Sequence, residues 1–498
     1  MNVAHFLETA AREAPERTAL VFGERTWSYG ELDRQAGRVA SGLASRGVRS
    51  GERVCLHLGN RPDFVLAYYA CQKLGVTAVA LNVTYVGEEL RYIIRDSEAV
   101  AILSGGPAAA GLPSPEATPG VRLRVGTADP GAVPFEELLV GPPLAAVDPD
   151  REDVAAVLYT SATTGRPKGV MLTQANVVSN THATVHHLRM TAADRGLCAL
   201  PLFHCFGQNF IMNALVAAGG TLVLQERFVP PEFLAAIPRH RVSLLYAVPT
   251  MYIVLLAQRL DGYDLSSLRL AFSAAAMLPG DVERRWQAET GLPIVQGYGL
   301  TESSPFATYN HERVHRPGSV GTPIENVEAR VVDEADRPVA DETLGELVIR
   351  GPNVMKGYLG KPAETAEALR GGWLHSGDIG YRDPDGYFYV VDRVKDMINV
   401  AGFKVFPREV EEVLFQHPAV SEAAVLGAPD TIKGEVVRAC VVLRPGQDTT
   451  AGELAQHCRG RIAAYKVPVV VEFMPALPKN PTGKVLKKAL RAREEQRT

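Results

Sequence analysis

The sequence predicts an α/β protein built from more than one domain. The chain has 498 residues, which is more than a single hydrophobic core usually organises. Short apolar runs alternate with helical stretches along most of the chain, as in proteins with a largely parallel sheet. Residues 392–412 then join the predicted strand "YFYVV" to a new helix. We therefore expect a domain boundary there.

The first hundred residues show the alternation clearly. Residues 28–48 place Leu32, Ala36, Val39 and Leu43 at helical spacing, and "RVCLHL" (53–58) reads as a strand. A second helix is predicted for "PDFVLAYYACQKLG", where the final glycine provides a stop signal.

The middle of the chain contains one interruption. Residues 104–152 are rich in proline, alanine and glycine, and this composition predicts a long surface excursion. Apolar strands then resume, with a helix expected around 176–188. The predicted strands are "AAVLYT", "TLVLQ", "VSLLYAV", "LRLAFS", "ELVIRG" and "YFYVV".

The last hundred residues read as helix, strand, strand, helix and a basic end. Pro407 suits the first turn of the helix that follows the boundary. Val410, Val413 and Leu414 form the apolar stripe of that helix.

Composition excludes several classes of protein. The net charge is −4, which gives no general attraction to nucleic acid or to an anionic membrane. The six cysteines include no CxxC pair, so we expect buried thiols in a reducing cytoplasm. The amino-terminal stretch is charged and amphipathic, unlike a signal peptide, and no apolar run is long enough to span a membrane.

The loop within "LYTSATTGRPKGVML" (158–172) has the parts of a phosphate cradle. Ser161, Thr163 and Thr164 offer hydroxyl donors, while Gly165 and Gly169 allow backbone N–H groups to approach an anion. Lys168 adds a positive charge. Neither a P-loop nor a complete GxGxxG is present, because Glu302 replaces the third glycine of "GYGLTE". A simple polar turn is the alternative interpretation of this loop.

Ordered motifs along the chain decide between these interpretations. The loop "YTSATTGRPKG" resembles the signature loop of the adenylate-forming superfamily, which includes acyl-CoA synthetases, peptide-synthetase adenylation domains and beetle luciferases. The other motifs follow in the family's order over roughly residues 10–490. They are "PLFHCFG", "QGYGLTES", "GELVIRGPNVMKGY", "WLHSGDIG", "DRVKDMINVAGFKVFPREVE" and "PKNPTGKVLKK".

The resemblance refines the expected fold. It implies a large N-terminal domain of mixed sheets with helices and a β-rich subdomain, over residues 1–391. A hinge at 392–396 would connect it to a small, mobile C-terminal α+β domain at 397–498. At two positions the chain carries alanine where the family pattern has glycine. Ala162 lies in the signature loop, and Ala274 lies near the expected adenine contacts.

The resemblance also implies a reaction in two halves. A carboxylate attacks the α-phosphorus of ATP to give an acyl-adenylate and pyrophosphate, and a thiol, usually that of coenzyme A, then displaces AMP. The implied cofactors are ATP, Mg²⁺ and coenzyme A, and the substrate is a small carboxylic acid. The protein would act as a monomer or homodimer, without nucleic acid or integral membrane association.

Candidate ATP-site residues follow from the matching motifs. Glu302 would hold the magnesium ion, Thr301 would bind the α-phosphate, and Tyr298 would offer a flat face to adenine. Asp378 would accept the ribose hydroxyls, with Arg393 as a second ribose contact. The full predicted set is Thr160, Ser161, Thr163, Thr164, Gly165, Lys168, Ala274, Ala275, Gly297, Tyr298, Gly299, Thr301, Asp378, Arg393 and Lys484.

Lys484 resembles the family lysine that bridges the substrate carboxylate and the α-phosphate. It must leave before a thiol can reach the same carbonyl, and the family achieves this by rotating the small domain. Lys395 occupies the hinge position, while Gly402 and Phe403 would face the site in the second orientation. The predicted catalytic residues are Lys484, Thr301, Glu302 and His204.

The acyl pocket is predicted to be apolar. Residues 201–225 contain no acidic residue to pair with an α-ammonium group and no Lys or Arg for a second carboxylate. A fatty or aryl acid therefore fits best, and two amides among the candidates could serve a ring hydroxyl or other protein groups. The candidate lining residues are His204, Phe206, Gln208, Asn209, Tyr246, Pro249, Thr250, Gly297, Pro305 and Ala307.

Three alternatives to a CoA ligase remain open at this stage. The protein could load an acyl carrier protein instead of free coenzyme A. It could be a luciferase-like oxygenase, or a nucleotide-binding protein without activity. The joint presence of Lys168, Glu302, Asp378 and Lys484 argues against the last of these.

Overall fold

The computed structural model describes residues 2–127, 129, 131–160, 166–393, 396–481 and 483–495. Its α-helices are Ala4–Glu13 (α1), Tyr29–Ser45 (α2), Pro62–Leu74 (α3), Gly87–Asp96 (α4), Gln174–His187 (α5), Ala214–Ala217 (α6), Pro230–His240 (α7), Pro249–Leu255 (α8), Gly280–Thr290 (α9), Pro362–Ala368 (α10), Pro407–Phe415 (α11), Ala451–Arg459 (α12) and Lys487–Glu495 (α13). A π-helical segment covers Phe206–Asn213.

The strands fall into two groups along the chain. Those before α5 are Thr18–Phe22 (β1), Arg25–Ser28 (β2), Arg53–His57 (β3), Thr77–Ala80 (β4), Ala101–Ser104 (β5), Leu123–Val125 (β6), Val154–Thr160 (β7) and Lys168–Thr173 (β8). Those after it are Arg195–Cys198 (β9), Thr221–Leu224 (β10), Leu244–Ala247 (β11), Leu270–Ser273 (β12), Ile294–Tyr298 (β13), Thr308–Tyr309 (β14), Thr322–Pro323 (β15), Glu328–Val332 (β16), Gly345–Arg350 (β17), Gly357–Tyr358 (β18), Leu374–Arg382 (β19), Phe388–Arg393 (β20), Ile398–Val400 (β21), Phe403–Val405 (β22), Val420–Asp430 (β23), Gly434–Leu443 (β24) and Val470–Phe473 (β25).

Two mixed sheets form the frame of the large N-terminal part. The first has the strand order β15-β14-β13-β12-β11-β9-β10-β1-β2, and the second has the order β18-β8-β7-β4-β3-β5-β6. Strands β9 to β13 of the first sheet pair in parallel, as do β3 to β7 of the second where they are neighbours. The fully buried apolar runs of these strands explain this arrangement, since parallel sheets are covered on both faces.

Local signals in the sequence set the helix limits. Helix α2 starts at the Ser28 cap, whose Oγ accepts the Glu31 N–H at 3.2 Å. Helix α3 ends at Gly75, which adopts φ 70° in the left-handed region. The predicted helix near 176–188 extends over α5, where Thr173 and Asn176 form a reciprocal capping pair.

The predicted surface excursion at 104–152 is in part integrated into the fold. Strand β6 adds to the second sheet by pairing in parallel with β5. Phe135 and Leu138 are buried, and the Leu138 backbone approaches Gly42 of α2 so closely that a Cβ there would lie 2.4 Å from the Leu138 carbonyl oxygen. A few apolar side chains within the proline-rich segment therefore anchor it to the fold. The overall composition of the segment did not predict this, because proline, alanine and glycine dominate it.

A third, antiparallel sheet has the order β16-β17-β19-β20 and corresponds to the expected β-rich subdomain. Its strands β19 and β20 place Asp378 directly opposite Arg393. The expected fold class, mixed sheets followed by a smaller C-terminal unit, is confirmed.

The C-terminal part has its own sheet, with the order β22-β21-β24-β23 and β25 paired to β24. Its core is a separate apolar cluster that includes Val410, Leu414, Val425 and Leu454. Strands β21, β22 and β25 are additional to the predicted helix, strand, strand, helix pattern, because they are short and only partly buried.

All six cysteines are buried free thiols. Within the described residues, no helix combines the length and apolarity needed to cross a membrane.

Candidate functional site

A cavity of about 950 Å³ lies where the two large sheets, the antiparallel sheet and the C-terminal part meet. It brings together most of the predicted ATP-site residues. Those that line it are Thr160, Lys168, Ala274, Ala275, Gly297, Tyr298, Gly299, Thr301, Glu302, Arg393 and Lys484.

Strands β7 and β8 bring both ends of the signature loop to the cavity. Thr160 ends β7 and Lys168 begins β8, and the two lie opposite each other in the antiparallel register. The Lys168 ammonium lies 4.9 Å from the centre of the Tyr358 ring. Ser161, Ala162, Thr163, Thr164 and Gly165 lie outside the described residues, so their predicted phosphate contacts remain predictions.

Tyr298 and Arg393 line the cavity, and both contact Asp378, which lies behind them and is not itself among the described lining residues. The Tyr298 hydroxyl donates to Asp378 Oδ2 at 2.7 Å, and Arg393 Nε lies 3.0 Å from Asp378 Oδ1. Burial, and then the Asp378 charge, raises the pKa of the Tyr298 phenol far above its usual range. The phenol is therefore a neutral donor that fixes the orientation of the Asp378 carboxylate.

The glycine-rich motif after β13 depends on close backbone packing. A Cβ on Gly299 would lie 1.6 Å from the Pro305 carbonyl oxygen, which only glycine avoids. This tight turn delivers Thr301 and Glu302 to the cavity on a short 3₁₀ turn.

Glu302 is a carboxylate with restricted access to water. Its Oε1 accepts the Tyr358 hydroxyl at 2.9 Å. Burial raises the pKa of this carboxyl above its usual range, although the Tyr358 hydrogen bond and Arg393 oppose the shift. A nearby cation would relieve the electrostatic cost of the buried charge.

These properties fit a magnesium ion shared with a polyphosphate. Mg²⁺ is often held by one or two carboxylates together with phosphate oxygens and water, rather than by a protein cage. In agreement, the described residues contain no cluster of three or more acidic, histidine or cysteine side chains suited to a metal. Glu302 would hold the ion, and the ion would supply charge neutralisation at the phosphates.

Lys484 reaches the cavity from the C-terminal part. The preceding Gly483 has φ 80°, and its carbonyl accepts a hydrogen bond from Thr250 of α8 at 3.4 Å. The Lys484 side chain is accessible through the cavity, yet surrounding protein and the positive charge of Arg393 lower its pKa. Lys484 thus lies in the same cavity as Glu302 and Thr301, as adenylation requires.

His204 is a half-buried, neutral histidine at the cavity wall. Burial and then the Lys484 charge lower its pKa to about 4. Its Nδ1 accepts the Phe206 N–H at 3.2 Å, which assigns the remaining ring proton to Nε2. His204 can therefore donate a hydrogen bond but carries no charge near neutral pH.

Phenylalanine rings form one end of the cavity. Phe206, Phe210, Phe272 and Phe306 all line it, and their ring centres are 4.6–6.4 Å apart in edge-on or tilted contacts. The predicted pocket residues Gly297 and Pro305 lie beside them. A Cβ on Gly297 would lie 2.5 Å from Phe272 Cζ, so this glycine keeps the space open.

Six other predicted pocket residues are not among the described residues that line the cavity. Gln208 donates to the Leu202 carbonyl, Asn209 bonds Cys205 and Ser304, and Tyr246 packs against Phe210. Thr250 contacts the loop that carries Lys484 instead. The contacts of Gln208, Asn209 and Tyr246 direct these three side chains into the protein. The six are Gln208, Asn209, Tyr246, Pro249, Thr250 and Ala307.

The loop after β12 carries the second alanine-for-glycine departure. Ala274 and Ala275 both line the cavity, but only Ala275 of the pair has a positive φ, 69°. The left-handed conformation costs an alanine roughly 1–2 kcal/mol. Ala274 therefore causes no backbone strain, whereas its neighbour does.

Residues predicted for the second orientation lie away from the cavity lining. Gly402 and Phe403 form the exposed turn between β21 and β22, where Gly402 has φ 89° and Phe403 is 57% exposed. Lys395 lies outside the described residues.

Several lining residues escaped the sequence analysis. Tyr358 belongs to the motif "GELVIRGPNVMKGY" but was given no role, and Phe210, Phe272 and Phe306 were not among the predicted pocket residues. A further wall comes from Asn82, Thr84, Tyr85 and Glu89, in "LNVTYVGEEL". These positions come together only when the second sheet folds.

Comparison of the sequence with models of known protein families identifies the family of the chain that contains this cavity. Residues 7–359 match the AMP-binding enzyme family, and residues 409–484 match the AMP-binding enzyme C-terminal domain. The chain belongs to the AMP-binding enzyme family. This confirms the predicted membership of the adenylate-forming superfamily.

Individual relatives of this AMP-binding enzyme align over almost its whole length. It is 39% identical to a feruloyl-CoA synthase of an Amycolatopsis species, covering 97% of both chains. It is 34% identical to a long-chain-fatty-acid–CoA ligase of Bacillus subtilis, covering 98% of this chain and 94% of the relative. Its fold matches the anthranilate CoA ligase AuaEII in complex with anthranoyl-AMP, with a TM-score of 0.95, 31% identity and coverage of 100% and 98%.

These relatives confirm the predicted enzyme class, an AMP-forming acid–CoA ligase that uses ATP, Mg²⁺ and coenzyme A. They do not favour the carrier-protein alternative.

Proposed function

We propose that this AMP-binding enzyme activates an aryl acid, or another flat apolar acid of similar size, and transfers it to coenzyme A. The carboxylate oxygen attacks the α-phosphorus of ATP, and the bond to the bridging oxygen of pyrophosphate breaks. The thiolate of coenzyme A then attacks the acyl carbon, and AMP leaves with the electron pair of the acyl–oxygen bond.

One observation carries the proposal: a single cavity is lined both by charged side chains and by a cluster of phenylalanine rings that contact one another. Lys168, Arg393 and Lys484 supply positive charge, and Glu302 supplies the carboxylate for magnesium. Phe206, Phe210, Phe272 and Phe306 supply apolar ring edges and faces at the other end. Such rings suit a flat aromatic body and limit the length of an acyl chain.

The chain's own residues divide the first half-reaction among them. Lys484 donates hydrogen bonds to the substrate carboxylate and the α-phosphate, and stabilises the charge that builds up between them. Asp378 accepts the ribose hydroxyls in an orientation held by Tyr298. Thr301 donates to the α-phosphate. His204, neutral with its proton on Nε2, lies beside the acyl end without adding charge.

Coenzyme A is the acceptor, and transfer to an acyl carrier protein is the alternative that the relatives do not favour. We also propose a cytoplasmic location, which the six free, buried thiols support. A monomer or homodimer is the proposed assembly. The proposed domain limits are residues 1–391 and 397–498, with a hinge at 392–396.

One assay tests the proposed function. Pyrophosphate release is measured with ATP and a panel of aryl, fatty and amino acids, with and without coenzyme A, together with acyl-CoA formation. We expect the highest kcat/KM with small aryl acids and a thioester product. Absence of release with every acid would contradict the enzyme. AMP formation that ignores coenzyme A would indicate a carrier protein.

A further inference from the structure

Helix α11 of the C-terminal part contacts the large N-terminal part through two charged side chains. Arg408 Nη2 donates to the Leu278 carbonyl at 3.3 Å and pairs with Glu412 Oε1, one turn later, at 2.6 Å. Burial raises the pKa of the Glu412 carboxyl, and the Arg408 charge and the nearby Gly280 N–H oppose this shift. The Arg408 side chain is 19% exposed, so this contact is largely shielded from water.

The contacted segment is the start of helix α9. Its N-cap residue is Pro279, which offers no side-chain acceptor to the free N–H groups of the first turn. The Glu412 carboxylate lies near this end of the helix, since the Gly280 N–H affects its pKa. A carboxylate is favourable at this end of a helix, where the partial charge is positive. Arg444 adds a weaker contact, 4.0 Å from Asp281.

The same segment is continuous with the wall of the cavity. Residues 274–279 connect β12 to α9, and Ala274 and Ala275 at its start line the cavity near Tyr298. Leu278, whose carbonyl accepts from Arg408, is buried. A ligand that orders Ala274 and Ala275 would therefore also order the surface on which α11 docks.

The contacts join two units that must separate for the second half-reaction. Asp392, at the start of the proposed hinge, accepts the Arg408 backbone N–H at 2.9 Å. Lys484 lies in the cavity, and under the proposed function it must leave before a thiol can reach the acyl carbon. Rotation of the small domain would break the contacts to Leu278 and Gly280.

We propose that Arg408 and Glu412 are positioning residues that hold the small domain in the adenylation orientation by docking α11 on the segment Leu278–Asp281. This inference rests on the proposed function. ATP that contacts Ala274 and Ala275 would stabilise the surface on which α11 docks, and the docked helix would keep Lys484 in the cavity. The docking raises the rate of adenylation and does not contribute to the rate of thioester formation.

The test compares the two half-reactions in Arg408→Ala and Glu412→Ala. Alanine keeps the helix, and the Arg408 backbone bond to Asp392 survives. We expect ATP–pyrophosphate exchange to fall about 5–20-fold, with a raised KM for ATP, because this fold-change corresponds to about 1–2 kcal/mol of lost orientation energy at about 1.4 kcal/mol per factor of ten. Conversion of pre-made acyl-adenylate to acyl-CoA should keep at least its original rate. Equal loss in both half-reactions, or unchanged exchange, would overturn the inference.

Two further variants separate docking from general loosening of the small domain. Lys466→Ala removes an ion pair to Glu409 of the same helix, within the C-terminal part, and should leave the ratio of the half-reactions unchanged. The double exchange Arg408→Glu with Glu412→Arg retains a pair but offers the wrong groups to Leu278 and Gly280. It should not restore exchange, and full restoration would contradict the docking.

Hydrogen exchange distinguishes failure of this inference from failure of the proposed function. It is measured with ATP and no acid, on peptides covering 274–281 and 407–415. In the unmodified protein ATP should protect both peptides, and Arg408→Ala should lose protection of 407–415. This pattern would support the docking even if no acid were activated. Identical exchange in the two proteins would refute the docking even if catalysis were found.

Discussion

Lys484 and Glu302 bring opposite charges into one cavity, and their environments have different effects on them. The pKa of Lys484 is lowered by surrounding protein and by Arg393, whereas burial raises the pKa of Glu302. Both side chains therefore gain from a ligand that carries compensating charge, and a magnesium nucleotide provides both signs. At the residue scale, the charges of these two side chains explain why the cavity suits ATP.

Removing the Lys484 amine should separate the half-reactions. We expect Lys484→Ala to lower pyrophosphate release by about 100-fold or more, since preorganised charge of this kind is typically worth that much. Thioester formation from pre-made acyl-adenylate should persist, because Lys484 is not used there. The control is Lys488→Ala, an exposed lysine four residues later. Loss of both half-reactions in the first variant would refute the assignment.

The role of Glu302 is tested by its dependence on magnesium. Glu302→Gln removes the charge and keeps the shape, so the Mg²⁺ concentration for half-maximal pyrophosphate release should rise by about tenfold, or about 1.4 kcal/mol. Tyr358→Phe removes only the hydrogen bond to Oε1 and should produce a smaller shift. Unchanged magnesium dependence in the glutamine variant would remove Glu302 from the metal site.

His204 gives a pH prediction. Its pKa of about 4 lies below the usual value of about 6.5, so the ring is neutral in the folded protein at neutral pH. The neutral form favours folding above about pH 6.5, and this contribution is lost as pH falls through about 4. Titration of the His204 ring proton by NMR, assigned with His204→Asn, should give the low value. A titration near 6.5 would contradict the burial argument.

At the scale of elements, the phenylalanine end of the cavity is built from three separate parts of the chain. Phe210 lies in the π-helical segment Phe206–Asn213, Phe272 in β12, and Phe306 in the turn before β14. Phe210 lies 4.6 Å from Phe272 and 4.9 Å from Phe306, ring centre to ring centre. Its ring connects the other two and limits the depth of the acyl site.

Phe210→Ala should widen the range of acids. Truncation opens space at the cavity end, so kcat/KM for longer acyl chains should increase relative to that for small aryl acids. The variant should lose about 3–5 kcal/mol of folding free energy. Phe233→Ala, in α7, is a matched control, because this buried phenylalanine is not among the cavity's lining residues. It should lose similar stability in thermal unfolding and keep the original preference, and an equal shift in both variants would refute the assignment.

For the whole molecule, Lys484 lies in the cavity and Gly402 lies on an exposed turn, as the proposed adenylation orientation of the small domain requires. A Cβ on Gly402 would meet nothing within 4 Å in this orientation. Under the proposed mechanism, we expect the second half-reaction to use a rotation that takes Lys484 out of the cavity and brings Gly402 towards it.

Gly402→Ala should reveal the second orientation. It adds about 1–2 kcal/mol of backbone strain at φ 89° and a methyl group that only the rotated state would bring to the cavity. Pyrophosphate release should change little, while thioester formation should fall about tenfold or more. Gly434→Ala has φ 78°, equally open surroundings and the same kind of strain, and should spare both steps. Equal effects of the two variants would contradict the rotation.

Local patterns were enough to predict much of this protein. Each of the strands β7, β11, β12 and β17 corresponds to one contiguous run of mainly apolar residues. Ser28 marks the start of α2, and Gly75 marks the end of α3. Motif order was enough for the family, because each motif is contiguous. The charged residues Lys168, Glu302 and Arg393 were found for the same reason.

The tertiary structure decided what depends on side chains from distant parts of the chain. Gln208 and Tyr246 were predicted pocket residues, but their hydrogen bonds and packing direct them into the protein, while Phe210, Phe272 and Phe306 were not predicted and line the cavity. Docking of Arg408 on Leu278 joins positions 130 residues apart. Sequence patterns describe one element at a time, whereas the direction of a side chain depends on which neighbours it meets. The sequence by itself therefore determined the family and the chemistry, and only the fold decided the shape of the acyl site and the orientation of the small domain.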